Sequence, residues 1–354
     1  MDRFSLDFQY GLSKGAGAGI VTLSGTPLEV GMGIGDIYKT RLHESVKKAA
    51  AALPKTFPKR LVDPTLHEAW KNTVECFPVV AEEIAGVSTA SGVSLPDLML
   101  ILHEEFSDAH KCTDVVATGK ATKAGSTLMG HNNDQDRDEG TPFPIRLAVE
   151  GQPEVLAFTY PGGVAYMAGA NSAGIVLSGN TLTSWDVQWG GIPRLILVRA
   201  ALQARSIDAA LRILLHPKRA SSYNNVIADT TGRVVDAEAT GRKKAVVEPD
   251  GVYSHTNHFI IPDLYPYEGK KDDIKSTQHR LIRSRQLLEA GYGKHTVETF
   301  KTILRDHENK GIESICRHDR ESVTGFSAVF EPQRQVIWYC QGNPCKGTYV
   351  PLEY

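Results

Sequence analysis

The pattern of hydrophobic and polar positions changes character once along the chain, near residue 111. From residue 36 to about residue 110, apolar residues recur at helical spacing and predict three helices. The first begins at Asp36, the second follows the capping pair Asp63-Pro64, and the third begins at Ser94. The first 111 residues are therefore predicted to form a helical N-terminal segment.

After Lys111, short apolar runs alternate with turn residues, a pattern typical of antiparallel strands. Strands are predicted at 115–117, 127–129, 145–149, 155–160, 175–177, 327–331 and 336–340, and further strands are predicted around the turns at Thr231-Gly232 and Asp250-Gly251. Two pairs of helices interrupt them, at 193–204 and 206–215 and at 276–290 and 297–306. Strand runs alternating with helix pairs favour an α/β (α+β) sandwich of antiparallel sheets flanked by helices over a doubly wound parallel sheet.

Composition narrows the class of protein. The chain has 354 residues, of which 41% are hydrophobic and 23% charged, so it can bury a sizeable core in one large domain or in two. Its formal net charge is -2, and no long run of either sign predicts binding to nucleic acid or to an anionic membrane. The expected partner is a small molecule.

The chain shows neither an N-terminal signal pattern nor an apolar stretch of membrane-spanning length, and a cytoplasmic protein is expected. The five cysteines are odd in number and irregularly spaced, which favours reduced thiols, one of which is a candidate for reactivity. The most informative is Cys112, at the change from helical to strand-rich pattern. A nucleophile there would lie at the start of a strand.

Two polar segments are expected near Cys112. The segment 130–134 follows the next predicted strand, and antiparallel pairing would bring Asp134 and neighbouring amides beside the thiol. The segment 254–258 ends a further strand and carries Asn257. Three polar strand ends can converge on one cleft, so the sequence predicts a site around Cys112.

These segments resemble the isopenicillin-N acyltransferase-like family of cysteine N-terminal-nucleophile (Ntn) hydrolases, which also includes enzymes that hydrolyse β-alanyl amines. The resemblance covers most of the chain. Its motifs are Gly25–Gly31, Cys112-Thr113, Gly130–Asp134, Asn171–Gly174 with Asn180, His255–His258, Arg280-x-x-Arg283 and Ser314–Arg317. Each motif is short, but their order and spacing together are specific.

The resemblance implies a four-layer αββα fold and self-cleavage between Lys111 and Cys112. The fragments, residues 1–111 and 112–354, would be an α-subunit and a catalytic β-subunit that remain associated within one αββα domain. The Cys112 thiol would attack the Lys111 carbonyl, and hydrolysis of the thioester would free an α-amine with a reference pKa of about 7.7 to 8.0. That amine can then serve as the base of its own thiol.

The resemblance also implies roles for individual residues. Asp134 would orient the α-amine, and Asn257 would donate its side-chain amide to the oxyanion. Arg317 has an alternative role in a buried ion pair. Residues expected to bind substrate or line the site are Asn133, Asn180, His131 and Arg317.

The chain departs from the family pattern at two positions. Lys111 precedes the cysteine where many members have glycine, and Asn133 stands where relatives commonly have Trp or Glu. The predicted reaction is cleavage or transfer of the acyl group of a small N-acyl amine, with acyl-CoA as a candidate donor. Hydrolysis and transfer both remain open. The alternative is an uncleaved, catalytically silent relative that binds an acylated small molecule.

Three other patterns do not support a cofactor or metal site. The aspartates from Asp134 to Asp138 resemble the start of a calcium loop, but Glu139 and Ile145 occupy its glycine and closing glutamate positions. Gly31-x-Gly33-x-Gly35 has the wrong spacing for a dinucleotide loop and is interpreted as a tight turn. His131, His255 and His258 lack a metal-binding pattern, so a site-lining or structural role is predicted for them. None of these three histidines, nor His110, is predicted to be the essential base of the processed enzyme.

Overall fold

The computed structural model describes residues 19–53, 57–106, 111–137, 140–160, 166–221, 223–269, 274–308, 310–320 and 322–354. The helices are α1 Pro27–Ala52, α2 Val62–Cys76, α3 Pro78–Ser91, α4 Leu95–Leu102, α5 Arg194–Ala201, α6 Ile207–Leu214, α7 Ile274–Ala290 and α8 Val297–Leu304. The strands are β1 Val21–Gly25, β2 Lys111–Ala117, β3 Leu128–Asp136, β4 Phe143–Val149, β5 Val155–Thr159, β6 Ala168–Asn171, β7 Val176–Thr181, β8 Tyr223–Ala228, β9 Val234–Ala239, β10 Lys244–Val247, β11 Val252–His255, β12 Ser322–Glu331, β13 Val336–Gln341 and β14 Val350–Glu353.

The strands form two sheets. One has the order β1-β4-β5-β6-β7-β8-β9-β10 and the other β11-β2-β3-β12-β13-β14. Strand β1 runs parallel to β4, and the other neighbouring strands are antiparallel. The sheets face each other through β2 and β7, while α1 covers β1 and β4, and α7 and α8 cover β2, β3, β11 and β12. The predicted sandwich of antiparallel sheets between helices is confirmed.

Helix α1 corrects two sequence-based expectations. It begins at Pro27 rather than at Asp36, because Thr26 and Glu29 form a capping box at its start. The glycines from Gly31 to Gly35, expected to form a tight turn, lie inside this helix. A Cβ at Gly31 would stand 1.9 Å from the Glu83 carbonyl oxygen of α3. The glycines therefore let two helices pack with their backbones in near contact.

The pairing of β2 with β3 in the six-stranded sheet fixes which side chains share a face. In the antiparallel register of β2 with β3, Cys112 lies opposite Asn133 and Asp114 lies opposite His131. Because strand side chains alternate, these four point to the same face, toward β7. Lys111, Asp134 and their neighbours Thr113 and Asn132 point to the other face, toward α7 and α8.

Most other predicted elements are confirmed, with the outermost residues shifted by a few positions. Strands β1, β6 and β14 were not predicted, and β3, β7 and β12 are longer than expected. The predicted second helix is divided at Phe77 into α2 and α3, because Pro78 begins a new helix there. The first 18 residues and residues 107–110, which include His110 and the predicted end of the third helix, lie outside the described ranges. Among the described helices, none alone is long and apolar enough to cross a membrane; α3 and α4 pass that test only as a pair, bent by 119°.

Candidate active site

Cys112 is buried at the start of β2, and its thiol, its backbone N–H and its carbonyl oxygen each have a contact. Its Sγ lies 3.6 Å from Oδ1 of Asn133, and its backbone N–H donates to Oδ1 of Asn257 at 2.8 Å. Arg280 of α7 donates to the carbonyl oxygen of Cys112. Pairing of β2 with β3 and with β11 thus brings together the three polar segments that were expected to converge.

Arg280 was noted in the sequence only as part of a motif, yet it fixes the geometry around the cysteine. Its Nη1 also donates to Oγ1 of Thr113 and its Nη2 to Oδ1 of Asn257, both at 2.8 Å. A guanidinium has no acceptor, so the Asn257 atom that faces it is the amide oxygen. The Asn257 Nδ2 points the other way and donates to the carbonyl of Thr181 at 3.1 Å, which uses one of its two hydrogens.

A histidine and a carboxylate lie next to the thiol on the same face. Nδ1 of His131 is 2.8 Å from Oδ1 of Asp114, and both side chains are buried. Burial alone would lower the pKa of His131, but Asp114 and the Cys112 thiol favour the charged ring and raise its pKa to about 10. Among the described residues, Nε2 of His131 has no nitrogen or oxygen partner. Cysteine, histidine and aspartate therefore form a contiguous group.

Asp114 is the point at which this group joins the opposite sheet. Ser178 of β7 donates to its Oδ1 at 2.8 Å, and Nδ2 of Asn180 donates to its Oδ2. The same Nδ2 also contacts Oδ1 of Asn224 at 2.8 Å. With these donors the carboxylate is stabilised away from water, so it can hold His131 in one orientation. Asn180 contacts Asp114 rather than the thiol.

Asp134 and Arg317 lie on the helical face of the sheet. The Asp134 carboxylate accepts from Oγ1 of Thr324 at 2.6 Å, and its Oδ2 lies 3.8 Å from Nε of Arg317. Burial raises the pKa of Asp134. Arg317 donates through Nη2 to Oγ of Ser276 at 2.7 Å. In this uncut chain the Cys112 N–H is bound by Asn257, while Asp134 is engaged on the opposite face.

The other histidines of the polar segments have different surroundings. Nε2 of His255 is 2.7 Å from Oε1 of Glu238, and its Nδ1 is 2.6 Å from the Thr256 carbonyl oxygen. Nδ1 of His258 lies 2.9 Å from Oγ1 of Thr277. Asp236, Glu238 and His255 have ligand atoms close together, but Glu238 already accepts from the backbone N–H of Ile260 at 2.7 Å. His255 thus belongs to a buried hydrogen-bond network.

Two facing sheets lie between helical layers, and Cys112 lies near the start of an inner strand, which is the four-layer αββα arrangement that the family resemblance implied. The chain belongs to the acyl-coenzyme A:6-aminopenicillanic acid acyl-transferase family, whose model matches residues 121–346. It is 23% identical over 326 residues to the acyl-coenzyme A:6-aminopenicillanic-acid-acyltransferase 40 kDa form of Emericella nidulans, covering 88% of this chain and 87% of that protein.

Solved structures with a similar arrangement include an amidase ortholog and a hydrolase. A Caenorhabditis elegans N-acylethanolamine-hydrolyzing acid amidase ortholog matches at a TM-score of 0.45 and 15% identity, covering 63% of this chain and 93% of that one. A variant of conjugated bile acid hydrolase from Clostridium perfringens matches at a TM-score of 0.44 and 13% identity, covering 69% of this chain and 97% of that one. Both likenesses are distant.

Sequence reasoning gave no role to three residues of this site, although Arg280 was part of a motif. Asp114 carried the signal of a charged residue in an apolar run, two positions from the cysteine and therefore on the same face of a strand. Arg280 lies on a helix about 170 positions downstream of the cysteine. Tyr160, whose hydroxyl accepts from Nδ2 of Asn133, directly follows β5 of the other sheet. The contacts of the last two depend on the fold and have no local sequence signal.

Proposed function

We propose that the chain is a self-processing cysteine Ntn hydrolase that cleaves or transfers the acyl group of a small N-acyl amide through a Cys112 thioester. The observation that supports this most directly is the set of contacts around the cysteine: its thiol adjoins His131 and Asn133, its N–H is bound by Asn257 and its carbonyl by Arg280. Family membership supports the acyl-transfer or amidohydrolase chemistry.

Self-cleavage needs a proton acceptor other than the α-amine, because in the uncut chain that nitrogen is part of the Lys111–Cys112 amide. His131, held by Asp114, is suited to this step. It accepts the thiol proton, the thiolate attacks the Lys111 carbonyl carbon, and the imidazolium returns a proton to the nitrogen as the C–N bond breaks. Water then hydrolyses the thioester, which leaves a Lys111 carboxylate, the Cys112 thiol and a free amine.

Turnover uses the same thiol with a new base. The freed α-amine of Cys112 takes the thiol proton, and the thiolate attacks the acyl carbon of the substrate. Asn257 can supply the second hydrogen of Nδ2 to the oxyanion that forms, since Arg280 and the Thr181 carbonyl fix the orientation of its amide. The role of Asp134 in orienting the amine rests on the family resemblance.

A cavity of about 420 Å³ begins one residue beyond Asn257 and is a candidate for substrate binding. Its lining includes apolar Phe259, Ile260 and Leu281 and charged Glu268 and Arg285. This size falls within the range of small-molecule sites, and the mixed lining suits a ligand with an apolar portion and a polar end. An N-acyl amine has both features. The cavity does not distinguish hydrolysis from transfer to an amine with acyl-CoA as donor.

The proposal includes the continued association of the two fragments in one domain. Strand β1 belongs to residues 1–111 and pairs along its length with β4 of residues 112–354. Helix α1 packs on the same sheet, and a buried ion pair at 2.7 Å joins Glu83 of α3 to Arg199 of α5. Separating the fragments would break these sheet hydrogen bonds and leave Arg199 uncompensated, so the cut protein should purify as a complex.

The test is the intact mass of purified protein combined with turnover of a panel of N-acyl amines, with and without acyl-CoA. Two masses that correspond to residues 1–111 and 112–354, together with release of free amine, are expected. A single uncut chain of 38.6 kDa without turnover would overturn the proposal and favour the silent binding relative. An uncut chain with turnover would separate catalysis from processing and exclude the α-amine as the base.

A further inference from the structure

Four sulfur and nitrogen side chains form a cluster that the proposed chemistry does not use. The ligand atoms of His307, Cys316, His318 and Cys345 all lie within 4.8 Å of one another. Nε2 of His318 is 3.4 Å from Sγ of Cys316 and 3.0 Å from Sγ of Cys345. The ring centroids of His307 and His318 are 4.9 Å apart. No local sequence spacing predicts this cluster, because its residues come from three separate loops that the fold brings together.

We propose that this cluster binds one zinc ion in a tetrahedral Cys₂His₂ site. Zinc bonds of about 2.3 Å to sulfur and about 2.0 Å to nitrogen place neighbouring tetrahedral ligands roughly 3.3 to 3.8 Å apart. The two measured distances to His318 are at or slightly below this range, so small movements of the side chains bring all four atoms into ligand positions. The sequence-based expectation of no metal site considered His131, His255 and His258, none of which belongs to this cluster.

The donor set selects the kind of metal. Two sulfurs and two imidazole nitrogens favour zinc over calcium or magnesium, which prefer oxygen ligands. Two thiolates and two neutral imidazoles balance the double charge of the ion, so a partly buried site acquires no net charge. Cys316 is buried while His307 is exposed, so the ion can enter from the surface and be enclosed on its inner side. These features are those of a structural site with four protein ligands.

The zinc ligands lie next to residues that contact β3 and β12 of the six-stranded sheet. Cys316 and His318 flank Arg317, whose Nη1 donates to Ser322 at the start of β12 and whose Nε faces Asp134. Cys345 lies between β13 and β14, and His307 follows α8. A zinc ion would therefore cross-link three loops and hold the Arg317 backbone from both sides. The inference concerns stability and does not depend on Cys112 acting as the nucleophile.

The experiment measures zinc in full-length protein purified under reducing conditions without chelator. We expect about one zinc per chain in the wild type and a loss of at least tenfold in Cys345→Ser and in His318→Gln. Cys76→Ser, which removes a half-buried free cysteine outside the cluster, is the matched control and should retain the metal. Cobalt(II) added to the zinc-free protein should give a thiolate-to-cobalt absorption band that Cys345→Ser lacks.

Thermal unfolding gives a readout independent of turnover. Removal of zinc by a chelator should lower the Tm of the wild type and leave that of Cys345→Ser unchanged. Three results would each overturn the proposal. These are a wild type that holds no zinc and gives no cobalt band, equal zinc contents in wild type and both ligand variants, and an intact mass two hydrogens lower that maps to a Cys316–Cys345 disulfide.

Discussion

Replacing His131 with glutamine tests whether this histidine activates Cys112 in the uncut chain. Glutamine is similar in reach and retains an N–H that can donate to Asp114, so the fold should survive, but it cannot accept a proton. We expect His131→Gln to slow self-cleavage strongly. Protein that has nevertheless been cut should turn over substrate, because the α-amine of Cys112 is by then free to act as the base.

The size of the effect follows from the environment of the ring. Asp114 and Cys112 favour the charged ring and raise the pKa of His131 to about 10, so a proton received from the thiol is held on the ring until it is returned to the amide nitrogen. Loss of one acid–base group typically costs 10²- to 10⁴-fold in rate, and we expect self-cleavage to slow by roughly that factor.

The assay follows the intact mass of freshly synthesised, cell-free translated protein over time at several pH values. The wild type should depend less steeply on pH than the variant, since His131 takes the thiol proton. The variant should accelerate by up to about tenfold per pH unit, because hydroxide must then remove that proton. His67→Gln, at an exposed position of α2, is the matched control and should behave as wild type.

Two outcomes would refute this reasoning. Cleavage of His131→Gln at the wild-type rate, with an unchanged pH profile, would show that another group takes the thiol proton. Complete loss of turnover in variant protein that mass spectrometry shows to be fully cut would make His131 essential after processing as well. The free α-amine would then not be a sufficient base.

Four further expectations follow from the same contacts. Cys112→Ala should remain a single uncut chain without amidase activity, whereas Cys76→Ala should cut and turn over normally; processing of the alanine variant would exclude Cys112 as the nucleophile. Asn257→Asp retains an acceptor for the Cys112 N–H and for Arg280 but loses the oxyanion donor. The kcat of the cut enzyme should therefore fall by roughly 10²- to 10³-fold. A near-normal kcat would assign Asn257 to structure alone. Arg280→Met removes charge-assisted hydrogen bonds worth about 1.5 to 3 kcal/mol each, so the urea midpoint of unfolding should fall clearly; an unchanged midpoint would contradict the geometry. In a Cys112→Ala background, Asp114 still raises the pKa of His131, so this histidine should stabilise the fold fully below about pH 6.5 and progressively less as the pH rises through its raised pKa. The unfolding free energy should therefore decline with pH more steeply than in the same background with His131→Gln; parallel curves would show that the pKa is not raised.

The sequence predicted the layers of the fold well because most strands and helices carry a regular apolar pattern. It failed where packing or burial replaces that pattern. The glycines of α1 resemble a turn locally, and only the approach of α3 explains why they are helical. Strands β3 and β7 were predicted too short because their ends are polar and yet buried. There Asn133 and Asn180 make hydrogen bonds to other side chains instead of to water.

Some residues of the candidate site could also be predicted from the sequence, and others could not. Cys112 and Asn257 lie where their segments were expected to converge, because strand pairing follows from the order of the strands. The hydrogen-bond partners of Asp134 and Asn180 depend on the face of the strand to which each side chain points. The pairing register of the strands decides that face, and a single sequence does not specify the register. The zinc ligands lie in loops joined only by the final fold, so no local spacing predicts them.

The position of Lys111 at the first residue of β2 has a consequence for the form of the site before and after cleavage. In the uncut chain this residue pairs with Asp134 and extends β2 by one residue before Cys112. A cut before Cys112 would leave the other residues of β2 in the sheet and free Lys111 to withdraw. The departing lysine would expose a strand position beside the nucleophile, where an extended acyl amide can take its place. The precursor would thus occupy its own binding site, and processing would both create the base and admit the substrate.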